Sequence, residues 1–239
     1  IFARQGNDDI AVAPLGLGVE DLGGCARRVC FGEGPGAALS LSAGELWWQE
    51  RALLAVDELR LPGEHNVQNA MAAAAVCLAR GIEEDAVRAG LRTFAGVPHR
   101  LEEVAYRDGV LYVNDSKATN VASTQVALNA FIDSGPVHLI LGGQGKGQDF
   151  TELRDAVQRN CAAVYLIGQD ASKIAAALAG LRVTIEDCGE LERAVSSARR
   201  RAVAGEVIML SPACASFDQF SDFEARGEQF RALVAGGVI

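Results

Sequence analysis

Short apolar runs alternate with amphipathic stretches through the second part of this chain. Val110–Val113, Val137–Leu141, Ala163–Ile167, Leu181–Ile185 and Glu206–Leu210 read as buried strands. Val121–Ile132, Phe150–Arg159, Ala171–Leu178, Leu191–Arg200 and Phe217–Val234 read as the helices between and after them. Such strand-then-helix repeats predict an α/β fold with a Rossmann-like, doubly wound, mostly parallel sheet, whose strand carboxyl ends carry the chemistry.

The first part is patterned differently. Ala26–Phe31 and Ala37–Ser42 are candidate strands, and Glu45–Leu61 reads as further extended segments before the punctuation of Pro62 and Gly63. An alanine-rich helix is predicted over Asn66–Arg80 and a shorter one over Glu83–Phe94. Pro98 marks the junction, giving two domains, 1–98 and 99–239.

Composition narrows the function classes. With 239 residues, 49% hydrophobic and 22% charged, the chain has material for two modest cores. The apolar run Ala70–Ala79 is too short to cross a bilayer, so no membrane partner is expected. A net charge of -9 argues against nucleic acid, so an anionic ligand must be met by local lysines and backbone amides. Six scattered cysteines without a CxxC pair read as reduced thiols of a cytoplasmic protein. The opening IFARQGNDDIAV reads as a domain interior, which makes a fragment of a longer protein the expectation.

Several strings place polar groups beside predicted strand or helix ends. In PGEHNVQN (62–69), the carboxamides of Asn66 and Asn69 stand three residues apart and offer the donor and acceptor that an adenine edge complements. The plain alternative is that Asn66 caps the helix and His65 packs against it. In VPHR (97–100), Arg100 stands at the junction, either as a solvated linker residue or as a phosphate contact.

In VNDSKATNVAST (113–124), Asp115 and Lys117 leave a strand end together, with Ser116 and Thr119 just before a helix. The carboxylate suits ribose hydroxyls and the ammonium suits phosphate, although Asp and Ser also serve as ordinary caps. LILGGQGKGQDF (139–150) runs a strand into glycines that let backbone amides approach an anion beside Lys146. It is not a Walker A loop, because Gly147 follows the lysine. Finally, LSPACASFDQFSDFEARGEQF (210–230) runs a strand into a loop with Ser211 and Ser216, then an aromatic stripe. Read plainly, Phe220, Phe223 and Phe230 are the core of a C-terminal helix.

Together these strings resemble the bacterial Mur ligases, ATP-dependent enzymes that add amino acids to the peptidoglycan precursor, and in particular their D-glutamate-adding branch. The resemblance covers about Leu46 to the end. It implies that domain 1–98 is the C-terminal part of a central ATPase domain and 99–239 the amino-acid-binding domain. It further implies that Asn66 and Asn69 contact adenine, Arg100 helps to hold ATP, Asp115 binds ribose, and Lys117 approaches the phosphates as the catalytic lysine. Thr119, Lys146, Ser216, Phe217 and Phe223 would then form the D-glutamate site.

The implied substrates are ATP, D-glutamate and UDP-N-acetylmuramoyl-L-alanine, acted on by a monomer. By the same resemblance IFARQ follows a metal-bridging lysine, so the ligands of a magnesium cofactor are expected upstream of Ile1, and no metal ligand is assigned here. The phosphate-binding glycine loop is missing as well, so the chain alone is expected not to turn over.

Three other readings stay open. Another ligase of the superfamily, including folylpolyglutamate synthetases, would share HN-x-x-N and PHR but lack SPACASFDQF. A non-catalytic nucleotide-binding module would respond to nucleotide and ignore D-glutamate. A dinucleotide-dependent dehydrogenase needs G-x-G-x-x-G after a strand, a string absent from this sequence.

Overall fold

The computed structural model describes residues 2–17, 24, 26–60 and 63–236. Cys25, Pro62, part of the APLGLGVEDL stretch (18–22) and the side chain of His65 lie outside the described residues. The chain divides into two compact units, Ile1–Ala95 and Gly96–Ile239.

The first unit holds a five-stranded sheet of β1 (Ile10–Pro14), β2 (Arg27–Gly32), β3 (Leu39–Ser42), β4 (Glu45–Trp48) and β5 (Arg51–Ala55), in that order. The first three strands are parallel, and β3, β4 and β5 form an antiparallel meander. Gln49 and Glu50, with φ of 46° and 68°, make the tight turn between β4 and β5, because left-handed backbone there matches the twist of the paired strands. Helices α1 (Glu64–Ala79) and α2 (Glu84–Thr93) pack on the sheet, with Met71, Ala74, Ala75 and Val87 in one core with Val29, Leu39 and Leu46. The small alanines of α1 allow that close approach.

Glu45–Leu61 is therefore two strands followed by a 3-10 turn over Val56–Glu58. The N-cap of α1 is Gly63, without a side-chain cap, so Asn66 does not cap the helix but sits within its first turn.

The second unit is a six-stranded sheet. Its strands are β6 (Glu102–Arg107), β7 (Val110–Asn114), β8 (Val137–Gly142), β9 (Cys161–Ile167), β10 (Thr184–Gly189) and β11 (Val207–Leu210), in the order β10-β9-β8-β11-β7-β6. All pairings are parallel except that of β6 with β7. Side chains alternate across β8. Leu139 and Leu141 pack with α3 (Val121–Ala130), α4 (Arg154–Asn160) and α5 (Ala171–Ala177) through Leu128, Val157 and Ile174. Ile140 points to the other face, toward α6 (Leu191–Arg201) and α7 (Phe223–Ala235), with Val195 and Phe230.

The chain leaves β7, skips one position to β8, moves outward through β9 and β10, and returns to place β11 in the gap. That reversal brings the loops after β7, β8 and β11 side by side at one edge, the topological switch point where such sheets bind ligands.

Two expectations are corrected, and one strand adds to those expected. The charged run Glu102–Arg107 is an antiparallel edge strand, joined to β7 by a left-handed turn at Asp108 and Gly109. The strand expected over Leu181–Ile185 lies at Thr184–Gly189. The last helix begins at Phe223 rather than Phe217, because the Asp222 carboxylate caps it by accepting the Ala225 N–H at 2.6 Å. Among the described residues, no helix is long and apolar enough to cross a membrane.

Candidate active site

The loop after β7 carries the D-S-K-A-T-N string. Asn114, wholly buried, turns its amide nitrogen to His99 Nδ1 at 3.0 Å and to the Gly227 carbonyl at 3.3 Å, and its oxygen accepts the Ser116 N–H. Asp115 follows with both carboxylate oxygens engaged: Ser211 Oγ donates to one at 2.8 Å and the Leu101 N–H to the other at 3.2 Å. Burial pushes its pKa up to about 6, against the lowering effect of those donors and of the Arg100 charge.

Neither Asp115 nor Ser116 caps a helix. That role belongs to Asn120, which accepts the Ser123 N–H at the start of α3. Lys117 is half-buried, its ammonium 3.7 Å from the centroid of the Phe223 ring, a cation–π contact.

The loop after β8 is tied to the loop after β11 by backbone. Gly142 N–H donates to the Pro212 carbonyl, and Gln144 pairs with Ala215 through two hydrogen bonds of 2.9 and 3.0 Å. Gly143 must be glycine, since its φ is 128° and a Cβ there would stand 2.3 Å from the Ala215 carbonyl oxygen. Lys146 stands at the exposed tip with a left-handed φ of 53°, and its ammonium lies 5.7 Å from the Phe217 ring.

In the third loop Ser216 is buried at 2% exposure while Phe217 is 63% exposed. Phe230 belongs to the core and Phe220 packs against it, as the plain reading of the aromatic stripe has it, but Phe223 faces Lys117.

The second unit thus brings Arg100 and Asp115, Lys117 and Phe223, and Lys146 and Phe217 together on adjoining loops. Thr119 is half-buried on the first of these loops. Asn66 (half-buried) and Asn69 (exposed) lie in α1 of the first unit.

Two side chains that hold the loops escape sequence reasoning. Gln148 accepts the Val121 N–H at 2.8 Å and donates to the carbonyls of Gly145 and Ala213, joining all three segments. Arg226, 1% exposed, donates to Ser116 Oγ and to the carbonyls of Ser116 and Cys214. Its burial lowers its pKa to about 10. Nothing in a lone Gln or Arg at these positions signals contacts 27 and 65 residues away for Gln148 and 110 away for Arg226. Among the described residues, no three His, Cys, Asp or Glu side chains converge in a way that could hold a metal ion.

Comparison with known proteins agrees with this architecture. Residues 99–214 match the family "Mur ligase, glutamate ligase domain". The chain is 49% identical over 191 residues to the UDP-N-acetylmuramoylalanine--D-glutamate ligase of Marinobacter nauticus, covering 80% of this chain and 42% of that protein. It is 42% identical over 218 residues to the corresponding ligase of Dechloromonas aromatica, covering 90% of this chain and 48% of the relative. The chain therefore spans less than half the length of these relatives.

Among solved structures, the UDP-N-acetylmuramoylalanyl-D-glutamyl-2,6-diaminopimelate--D-alanyl-D-alanyl ligase of Acinetobacter baumannii superposes with a TM-score of 0.70 at 20% identity. That match covers 95% of this chain and 51% of the other, and it shows the shared fold. With the domain match, the high identities and the loop geometry in agreement, the chain belongs to the Mur ligase family.

Proposed function

We propose that this chain is part of an ATP-dependent ligase that adds D-glutamate to UDP-N-acetylmuramoyl-L-alanine in peptidoglycan synthesis. In that reaction the γ-phosphate of ATP passes to the carboxylate of the nucleotide-linked substrate, giving an acyl phosphate and ADP. The D-glutamate amine attacks the acyl carbon, the amide bond forms, inorganic phosphate leaves, and the amine loses its proton. Positioning and charge stabilisation supply most of the acceleration in chemistry of this kind.

The observation that carries the proposal is the meeting of the three loops. Two ammonium groups, each beside an aromatic ring, stand on neighbouring loops at the switch point of the sheet. A dicarboxylic amino acid suits this arrangement: Lys146 and the segment of Ser216 and Phe217 take its carboxylates, Thr119 orients it, and Phe223 covers its methylene chain. Lys117 faces the transferred phosphoryl group, Asp115 the ribose hydroxyls, Arg100 the ATP phosphates, and Asn66 and Asn69 the adenine. Magnesium, when bound, would offset phosphate charge during the transfer. The free thiols Cys30, Cys77, Cys161, Cys188 and Cys214 suit a reducing cytoplasm.

Calorimetric titration of two single variants tests the division of labour. Lys146→Ala should lose D-glutamate binding and keep ATP binding, and Asp115→Asn should do the reverse. Equal loss of both ligands in either variant contradicts the assignment.

A further inference from the structure

We propose that Asp170 is a positioning residue for the amino-acid site, holding the Gly145 amide so that the turn carrying Lys146 is fixed toward the substrate. The inference rests on the reading of Lys146 as a substrate contact. Asp170 follows β9, at the N-cap position of α5, where an aspartate ordinarily accepts a backbone N–H of its own helix. Here it makes no side-chain cap. Its carboxylate turns away to the loop after β8, where Oδ2 accepts the Gly145 N–H at 2.7 Å.

Two further contacts surround that bond. The Asp170 backbone N–H donates to the Gly143 carbonyl at 3.0 Å, so the residue grips the glycine loop twice. Oδ1 meets the ammonium of Lys173 at 2.6 Å, and the Asp170 side chain is only 6% exposed. A charged acceptor inside the fold binds an amide more strongly than a neutral one.

The loop leaves little freedom for a substitute. A Cβ at Gly145 would stand 2.5 Å from the Phe150 ring and 3.1 Å from Asp170 Oδ2. The next residue is Lys146, held at left-handed φ and therefore sensitive to how its neighbour is fixed. The same β9–α5 segment also reaches the third loop, where the Gln169 N–H donates to Asp218 Oδ2 at 2.8 Å. One short segment thus sets the loop of Lys146 and the loop of Phe217 relative to each other.

The sequence makes the test clean, because Lys117, Lys146 and Lys173 are the chain's only lysines. Reductive 13C-methylation gives each a separate NMR signal. The 239-residue chain is compared as wild type, Asp170→Ala and Asp170→Asn, the last keeping an oxygen acceptor for Gly145.

In the wild type the Gly145 amide should be protected from hydrogen exchange. In Asp170→Ala its exchange should rise by about tenfold or more relative to sheet-core amides such as Leu139, with movement of the Lys146 signal but not the Lys117 signal. Asp170→Asn should recover most of both. D-glutamate affinity should fall by about tenfold in the alanine variant, with ATP affinity held.

An unprotected Gly145 in the wild type would overturn the inference whether or not the alanine variant folds. Uniform acceleration of exchange in the variant would also overturn it, since that marks general destabilisation. So would an Asp170→Ala chain that binds D-glutamate as tightly as the wild type. A wild type that binds no D-glutamate would count against the ligand assignment instead, while exchange at Gly145 and the Lys146 signal still decide the role of Asp170.

Discussion

The Ser211 hydroxyl donates to Asp115 Oδ2 at 2.8 Å and so joins the carboxyl ends of β11 and β7, the strands at the centre of the switch point. Burial raises the Asp115 pKa from 3.8 to about 6. Across that window the folded chain holds a proton that the unfolded chain has released, so this group's contribution to stability falls as pH rises from about 4 to 6. At neutral pH the ionised carboxylate then costs on the order of a few kcal/mol. Asp115→Asn should therefore be more stable than wild type in urea at pH 7 and close to it at pH 4. An Asn variant less stable at pH 7 would show that the donors outweigh burial.

Arg226 has no carboxylate partner within ion-pair distance among the described residues, and carbonyls and a hydroxyl satisfy its guanidinium. Arg226→Met keeps the side-chain bulk and leaves those acceptors bare, at a cost of about 3 kcal/mol or more. Urea unfolding measures it, and a change below about 1 kcal/mol would mean that water or a neighbour replaces the guanidinium.

Gly227 lies inside α7, where replacement of glycine by alanine ordinarily stabilises a helix by about 1 kcal/mol. Here an added Cβ would stand 2.2 Å from His99 Nδ1, and the His99 ring is buried and bonded to Asn114. Gly227→Ala should reverse the usual sign and destabilise by roughly 1–3 kcal/mol. A thermal melt showing a higher midpoint would contradict this packing.

Much of this arrangement is legible in the sequence. The apolar runs of the second unit mark β7, β8, β9 and β11 closely, because central strands buried on both faces read as continuous hydrophobic segments, whereas the partly exposed edge strand β10 lies C-terminal to its expected run. Asp115, Lys117 and Lys146 stood out because they follow such runs directly.

The edge strand β6 did not, since Glu102, Glu103 and Arg107 carry the charges that protect an exposed edge, although the Asp108-Gly109 turn was a usable signal. The first strand, β1, is a short IAVAP run ending in proline, a weak strand signal. The supports of the site were hidden for a different reason. Asp170 looks like an ordinary helix cap and Gln148 like a loop glutamine until folding brings β8, β9 and β11 into register. Hydrogen bonds between loops distant in sequence leave no local period to read.

The most direct measurement is a thermal-shift titration of this chain with D-glutamate, with L-glutamate as the control and with ATP and magnesium present throughout. The account predicts a midpoint that rises with D-glutamate and not with its mirror image, because fixed groups on the three loops meet a chiral dicarboxylate in one orientation. At one hundred times the dissociation constant the stabilisation would be about 2.7 kcal/mol. An equal response to both isomers, or no response to either, would contradict the assignment of these loops to D-glutamate.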